Sequence, residues 1–199
     1  MSRFAIVCFS LLCAPLLAGC VSSALSAAGD VVTVAGQERS FGNAVDDATI
    51  VTEIHHYYLQ NDVNDILINV GVTSHEGRVL LTGNVNTHEA AVNAVRLAWQ
   101  AKGVKEVINE IEVRPETGPS NRAKDEWIEK QIEGRMLITK DIKSLNYTVE
   151  VVNAIAYILG IAQDDAELQR VFHITSTTKG VKRVVSHVRL KDGGLREAR

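Results

Sequence analysis

The 199-residue sequence carries 21 Lys and Arg against 24 Asp and Glu, a formal net charge of −3, and is 46% hydrophobic. All three cysteines fall within the first 20 residues, which leaves the rest of the chain without a disulfide framework or a cysteine-based metal or redox site. The remaining length of about 180 residues suits one medium domain or two small ones.

The chain opens on Met1-Ser2-Arg3, one positive charge, followed by a mostly apolar run over 4–17 and by Leu17-Ala18-Gly19-Cys20. A charged start, an apolar stretch and small residues ahead of a cut describe a secretory signal. The apolar run of about 15 residues is shorter than the about 20 that span a bilayer. The Leu-Ala-Gly-Cys ending resembles the lipobox of bacterial lipoproteins. That resemblance implies a signal peptide over 1–19, a diacylglyceryl group on the Cys20 thiol, and acylation of the new amine by a fatty acid such as palmitate. Val21 follows Cys20 where the enteric retention signal has Asp, so the same resemblance implies a periplasmic protein lipid-anchored to the outer membrane. Each buried methylene of such an anchor contributes about 0.8 kcal/mol.

Residues 20–44 are small and polar at first and read as the lipidated N-terminus and a tether. Two prolines and a glycine at 115–121 (Pro-Glu-Thr-Gly-Pro-Ser-Asn) interrupt any helix or strand. They set a linker, 115–120, between units at 45–114 and 121–191, with a C-terminal tail at 192–199. In the first unit, Ile50, Ile54 and Tyr58 have helical spacing over 47–60, and Ile68, Val70 and Val72 alternate as a half-buried strand. His75-Glu-Gly-Arg78 is a turn and residues 79–85 return antiparallel. Asn86-Thr-His-Glu89 reads as a capping box opening a second helix, as does Asp164-Asp-Ala-Glu167 in the second unit. Gly103 and Gly180 are placed to stop those helices, and 104–113 and 181–190 are the last strands.

The units are copies. Gly83 and Gly103 lie 77 residues before Gly160 and Gly180, and Gly103-Val-Lys-Glu-Val-Ile is echoed by Gly180-Val-Lys-Arg-Val-Val. Ala91, Ala94, Val95 and Ala98 fall at the same offset on Leu168, Val171, Phe172 and Thr175; upstream, at an offset of 78, Ile50, Ile54 and Tyr58 fall on Ile128, Ile132 and Met136. A shared core stripe marks a structural repeat. Strands with one apolar face need covering, so two helices should lie on one face of each three-stranded sheet.

This αββαβ pattern, with a glycine ending its second strand and a closing Gly-Val-Lys-x-Val, resembles the BON domain. Two copies behind a lipobox, with Val45-Asp-Asp47 and Asp125-Glu-Trp127-Ile128 opening them, resemble the dual-BON outer-membrane lipoproteins. The resemblance implies an α+β fold of two tandem αββαβ BON domains, each a three-stranded mixed sheet with two helices packed on one face. One departure is Asn153-Ala154, where the family usually has Asn-Gly. Alanine at positive φ is strained, so that turn is expected to be longer or of another type.

No chemistry of catalysis is legible. There is no Gly-x-Ser-x-Gly elbow and no glycine-rich phosphate loop, so no enzyme and no cofactor are expected. His55 and His56 diverge by about 100° on a helix and cannot grip one ion together. With no counterpart in the first unit for His173 or His187, no metal site is expected either.

Binding chemistry is better placed. Residues 45–114 hold 10 acids and 5 bases, residues 121–199 hold 11 acids and 14 bases, so the second unit suits an anionic partner. An exported protein meets no nucleic acid, which leaves anionic phospholipids, cell-wall polymers or acidic proteins. On the first helix of the second unit, Trp127, Leu137 and Ile138, with Lys130 and Gly134, lie largely opposite the Ile128–Ile132–Met136 stripe. Trp with Lys one turn away suits a bilayer interface, while packing of Trp127 on the first unit is the structural alternative. The family resemblance implies the former: binding of phosphatidylglycerol or cardiolipin through this helix and support of envelope integrity. The alternative function is a protein-interaction or chaperone-like factor serving the outer-membrane barrel-assembly machinery.

Overall fold

A computed structural model of the chain describes residues 41–61, 66–114 and 122–191. The expected signal peptide, Cys20, most of the tether, the linker and the C-terminal tail lie outside the described residues. The first half runs α1 (Phe41–Asn61), a single helical turn α2 (Ile66–Asn69), β1 (Val70–His75), β2 (Arg78–Val85), α3 (His88–Ala98) and β3 (Glu106–Val113). The second half runs α4 (Arg122–Ile138), a 3-10 turn (Ser144–Asn146), β4 (Tyr147–Val152), β5 (Ile155–Ala162), α5 (Asp165–Ser176) and β6 (Arg183–Leu190).

Each half is α+β, a three-stranded mixed sheet whose central strand is antiparallel to the strand before it and parallel to the one after. The predicted stripes form the cores. Ile50, Ile54 and Tyr58 pack with Val79, Leu81, Ala94 and Leu97, and Ile128, Ile132 and Met136 pack with Val149, Ile158 and Val171. Full burial of such a side chain contributes about 1.5–3 kcal/mol. The Tyr58 hydroxyl donates to the Ala94 carbonyl at 3.1 Å, and burial pushes its pKa up.

Several local expectations are corrected. The first helix starts at Phe41, inside the expected tether. Ile68 sits in α2, 56% exposed, and not in the strand, which begins at Val70. The N-cap of α3 is Thr87, whose hydroxyl accepts from Ala90 N at 3.1 Å, and not Asn86. Asp164 does cap α5, accepting from Glu167 N at 2.7 Å. Gly103 and Gly180 do not stop α3 and α5, whose caps are Trp99 and Thr177. They take positive φ of 94° and 103° at the end of the following turns, where a Cβ would meet Ile50 at 3.3 Å and Ile128 at 2.8 Å.

The hairpins repeat one device. Register leaves two-residue loops, Glu76-Gly77 and Asn153-Ala154, all four at positive φ, the pattern of a type I′ turn. The longer or different turn expected around Ala154 does not form; Ala154 takes φ 65°. A buried carboxylate on the preceding helix holds each loop. Asp47 accepts from Glu76 N and Gly77 N at 2.8 and 2.9 Å, and Asp125 accepts from Asn153 N and Ala154 N at 2.8 and 2.9 Å. Two charge-assisted bonds per turn offset the strain at Ala154.

The sheet faces turned away from the helices meet each other. Leu80, Tyr157 and Leu159 form a buried cluster with Ile108, Val152, Ile155 and Val185. With both faces covered, the central strands β2 and β5 are buried almost end to end.

Candidate functional site

Alternation along β3 and β6 sends one set of residues to the helices and the other to the opposite sheet. On β3 the second set is Glu106, Ile108, Glu110 and Glu112; on β6 it is Arg183, Val185, His187 and Arg189. An acidic row therefore faces a basic one. Arg189 donates to Glu106 at 2.9 Å, Arg183 lies 3.9 Å from Glu112, and His187 Nε2 lies 2.9 Å from Glu110. The outer pairs cross, early residue with late, so β3 and β6 run antiparallel over one another and exchanging the copies maps one pair onto the other. Arg78 joins this row, donating to Glu106 at 2.6 Å and to the His187 carbonyl at 2.8 Å. Burial pushes Glu106 up, but the Arg78 hydrogen bond and charge, with Arg189, outweigh it and hold the carboxyl below its ordinary range.

Part of the basic excess counted in the second unit is thus spent inside the molecule, on the acids of the first. The signal was present in the sequence, as alternating Glu on one strand and Arg or His at matching positions 77 residues on.

At the other side of the interface, Glu150 of β4 lies over Gly71 of β1. A Cβ on Gly71 would stand 2.7 Å from Thr82 Oγ1 and 3.3 Å from Glu150 Oε1, so the glycine leaves room for the carboxylate. Burial first, and then the charge of Glu129, push Glu150 up to about 7 against a hydrogen bond from Thr73 and the charge of Lys130.

The five residues singled out on α4 are together on its solvent side. Trp127 is 54% exposed, Leu137 72% and Ile138 82%, and nothing stands within 4 Å of a Cβ on Gly134. Trp127 is not in the buried interdomain cluster, which is built from strand residues. Lys130 sits differently from expectation. Its ammonium is held by Glu133 at 2.9 Å and Glu129 at 3.2 Å, which raise its pKa. The face is therefore an apolar stripe flanked by a lysine already engaged by two carboxylates.

The histidines are scattered. His56 lies 2.9 Å from Gln60, His75 is buried, His55 and His88 are exposed, and His187 is at the interdomain face.

The repeat has a counterpart among known families. The BON domain model matches residues 46–115 and 124–192. Similar chains include an uncharacterised protein in the gshII 5′ region of Anaplasma centrale, 42% identical over 76% of this chain and 99% of that one. The outer membrane lipoprotein DolP of Haemophilus influenzae is 29% identical over 85% of this chain and 87% of its own length. A 21 kDa hemolysin of Actinobacillus pleuropneumoniae is 28% identical over 75% and 78%. Two copies of one αββαβ unit, matched by the same family model along most of the described residues, make this chain a DolP-like member of the BON-domain family with two tandem domains.

Proposed function

We propose that the chain is a non-enzymatic envelope protein, lipid-anchored through Cys20 at the periplasmic face of the outer membrane, whose second domain binds anionic phospholipid through α4. The observation that carries this reading is the exposure of Trp127, Leu137 and Ile138 on one helix, beside the open Gly134. An exposed indole and two aliphatic side chains at a helix end form a surface that inserts among headgroups. A relative named as an outer membrane lipoprotein supports the compartment. Phosphatidylglycerol and cardiolipin are anionic headgroups that suit the net basic charge of the second unit as a whole, 14 bases against 11 acids over residues 121–199, and support of envelope integrity is the role such an anchored binder serves.

A second reading is favoured by one observation: the exposed Glu126 and Glu133 flank the apolar residues on this side of α4, a composition that also fits a protein partner such as the barrel-assembly machinery. Liposome flotation separates the two. The full chain carrying Cys20→Ala should float with phosphatidylglycerol vesicles and not with phosphatidylcholine, and Trp127→Glu should abolish flotation without unfolding, while Ile132→Glu, at a fully buried position, should unfold the domain. Equal flotation of the Trp127→Glu chain would overturn the lipid reading.

A further inference from the structure

The interdomain seam ends in two clefts related by the repeat, and their charges are not equivalent. One is lined by Arg78, Lys105 and Arg189 with Glu76 and Glu106. There both guanidinium groups bond Glu106, and Lys105 Nζ donates to the Glu76 carbonyl at 3.0 Å. Its cations are satisfied within the protein.

The opposite cleft, about 440 Å³, is lined by Arg114, Lys124, Lys182 and Arg183 with Glu112 and Asp125. Among the described residues, four cations here face two carboxylates. Asp125 already accepts from two backbone N–H groups of the Asn153-Ala154 turn, and Glu112 is shared by Arg114 and Arg183. Lys124 and Lys182, both exposed, form no ion pair among the described residues. The four cations come from three elements, the end of β3, the first turn of α4 and the start of β6. They converge only because the two sheets stack antiparallel.

We propose that this cleft is an anion site that takes a phosphate group, as a phosphomonoester or as the phosphodiester of a lipid headgroup. An excess of two positive charges matches the one to two negative charges of such a group. Two guanidinium forks with two ammonium groups supply the directional donors that phosphate oxygens accept. The volume admits the phosphate together with the alcohol it esterifies. The site is separate from the apolar face of α4, which begins one turn further on at Trp127, and it needs no bilayer.

The test is an amide-shift titration of the nitrogen-labelled full chain with inorganic phosphate, glycerol 3-phosphate and dihexanoyl phosphatidylglycerol below its micelle concentration. Saturable shifts are expected at Asn153, Ala154 and Lys182. The Lys124→Gln, Lys182→Gln double variant should bind at least about tenfold more weakly with unchanged melting, and Lys102→Gln, exposed and outside the cleft, should bind as the parent does. Saturation by inorganic phosphate identifies a free-anion site and saturation by the lipid headgroup alone a headgroup site; either upholds the proposal. Shifts that fail to saturate with every probe, or a double variant that binds like the parent, would overturn it. Because the probes form no vesicle, loss of flotation by Trp127→Glu leaves this result untouched.

Discussion

Glu110 of the first domain and His187 of the second occupy the same position of their respective sheets, 77 residues apart, and lie 2.9 Å from one another across the interface. A residue thus meets its own counterpart, as at the axis of a homodimer with two-fold symmetry. Duplication within one chain allowed the two sides to diverge, and the divergence is electrostatic: three glutamates on one strand, two arginines and a histidine on the other.

Glu106 is where this pairing matters most for stability. Arg78 is only 8% exposed, and Glu106→Ala removes the carboxylate that its guanidinium bonds at 2.6 Å. A hydrogen-bonded charge left without its partner costs about 2–3 kcal/mol, so chemical denaturation should show a loss of that order. Glu112→Ala, at a more open pair, should cost under about 1 kcal/mol. Since the folded state holds Glu106 below its ordinary pKa, its contribution is present above the unfolded carboxylate range and fades as pH falls. The gap between parent and Glu106→Ala should therefore narrow in acid.

The core and the element order were legible because they rest on period. Ile50, Ile54, Tyr58 and their repeats declare a helix face whatever surrounds them. The interdomain face was hidden for the converse reason: Leu80, Tyr157 and Leu159 alternate with Val79, Ile158 and other core residues, and a strand buried on both sides shows no polar face to mark the second surface. The exposure of Trp127 followed from its angle to Ile128, whereas the capture of Lys130 by Glu129 and Glu133 depends on rotamers that spacing does not report. The turn at Ala154 was misread because its compensation, the Asp125 carboxylate, lies 29 residues away.

That compensation gives a second prediction. Ala154 is held at φ 65°, where a Cβ costs about 1–2 kcal/mol and glycine nothing. Ala154→Gly relieves that strain but gives up a buried methyl of about 0.8 kcal/mol and adds about 0.5–1 kcal/mol of backbone entropy, so the denaturation midpoint should change little. Asp125→Ala should lower it, and an unaltered midpoint in that variant would mean that the two N–H bonds to the loop contribute nothing.

A third prediction concerns pH. Glu150 titrates at about 7 in the folded chain against an ordinary 4.5, so the folded state binds its proton more tightly than the unfolded one. The resulting penalty is absent below pH 4.5, grows between 4.5 and 7, and is complete above 7. Glu150→Gln, which keeps the shape and removes the charge, should stabilise the chain by about 1–3 kcal/mol near neutrality and leave it unchanged in acid. Thermal melting of the two chains across that range checks the sign. A gain that persists at low pH would point to packing instead of charge.

The last prediction turns on Lys130. Its ammonium lies between Glu133 and Glu129, so at the membrane these carboxylates compete with lipid phosphate for it and add repulsion of their own. Lys130→Gln should then weaken binding to phosphatidylglycerol vesicles by several-fold, because it leaves both carboxylates uncompensated beside the anionic surface. Glu133→Gln should strengthen binding by several-fold, because each net positive charge near an anionic surface contributes about 1 kcal/mol. That gain should disappear at high salt, where charges beyond a Debye length of about 3 Å are screened. The Trp127 contribution should persist, because it arises from apolar burial. If Glu133→Gln left vesicle binding unchanged at low salt while Trp127→Glu abolished it, the helix would engage the bilayer by its apolar stripe alone, with Lys130 serving to neutralise its own helix.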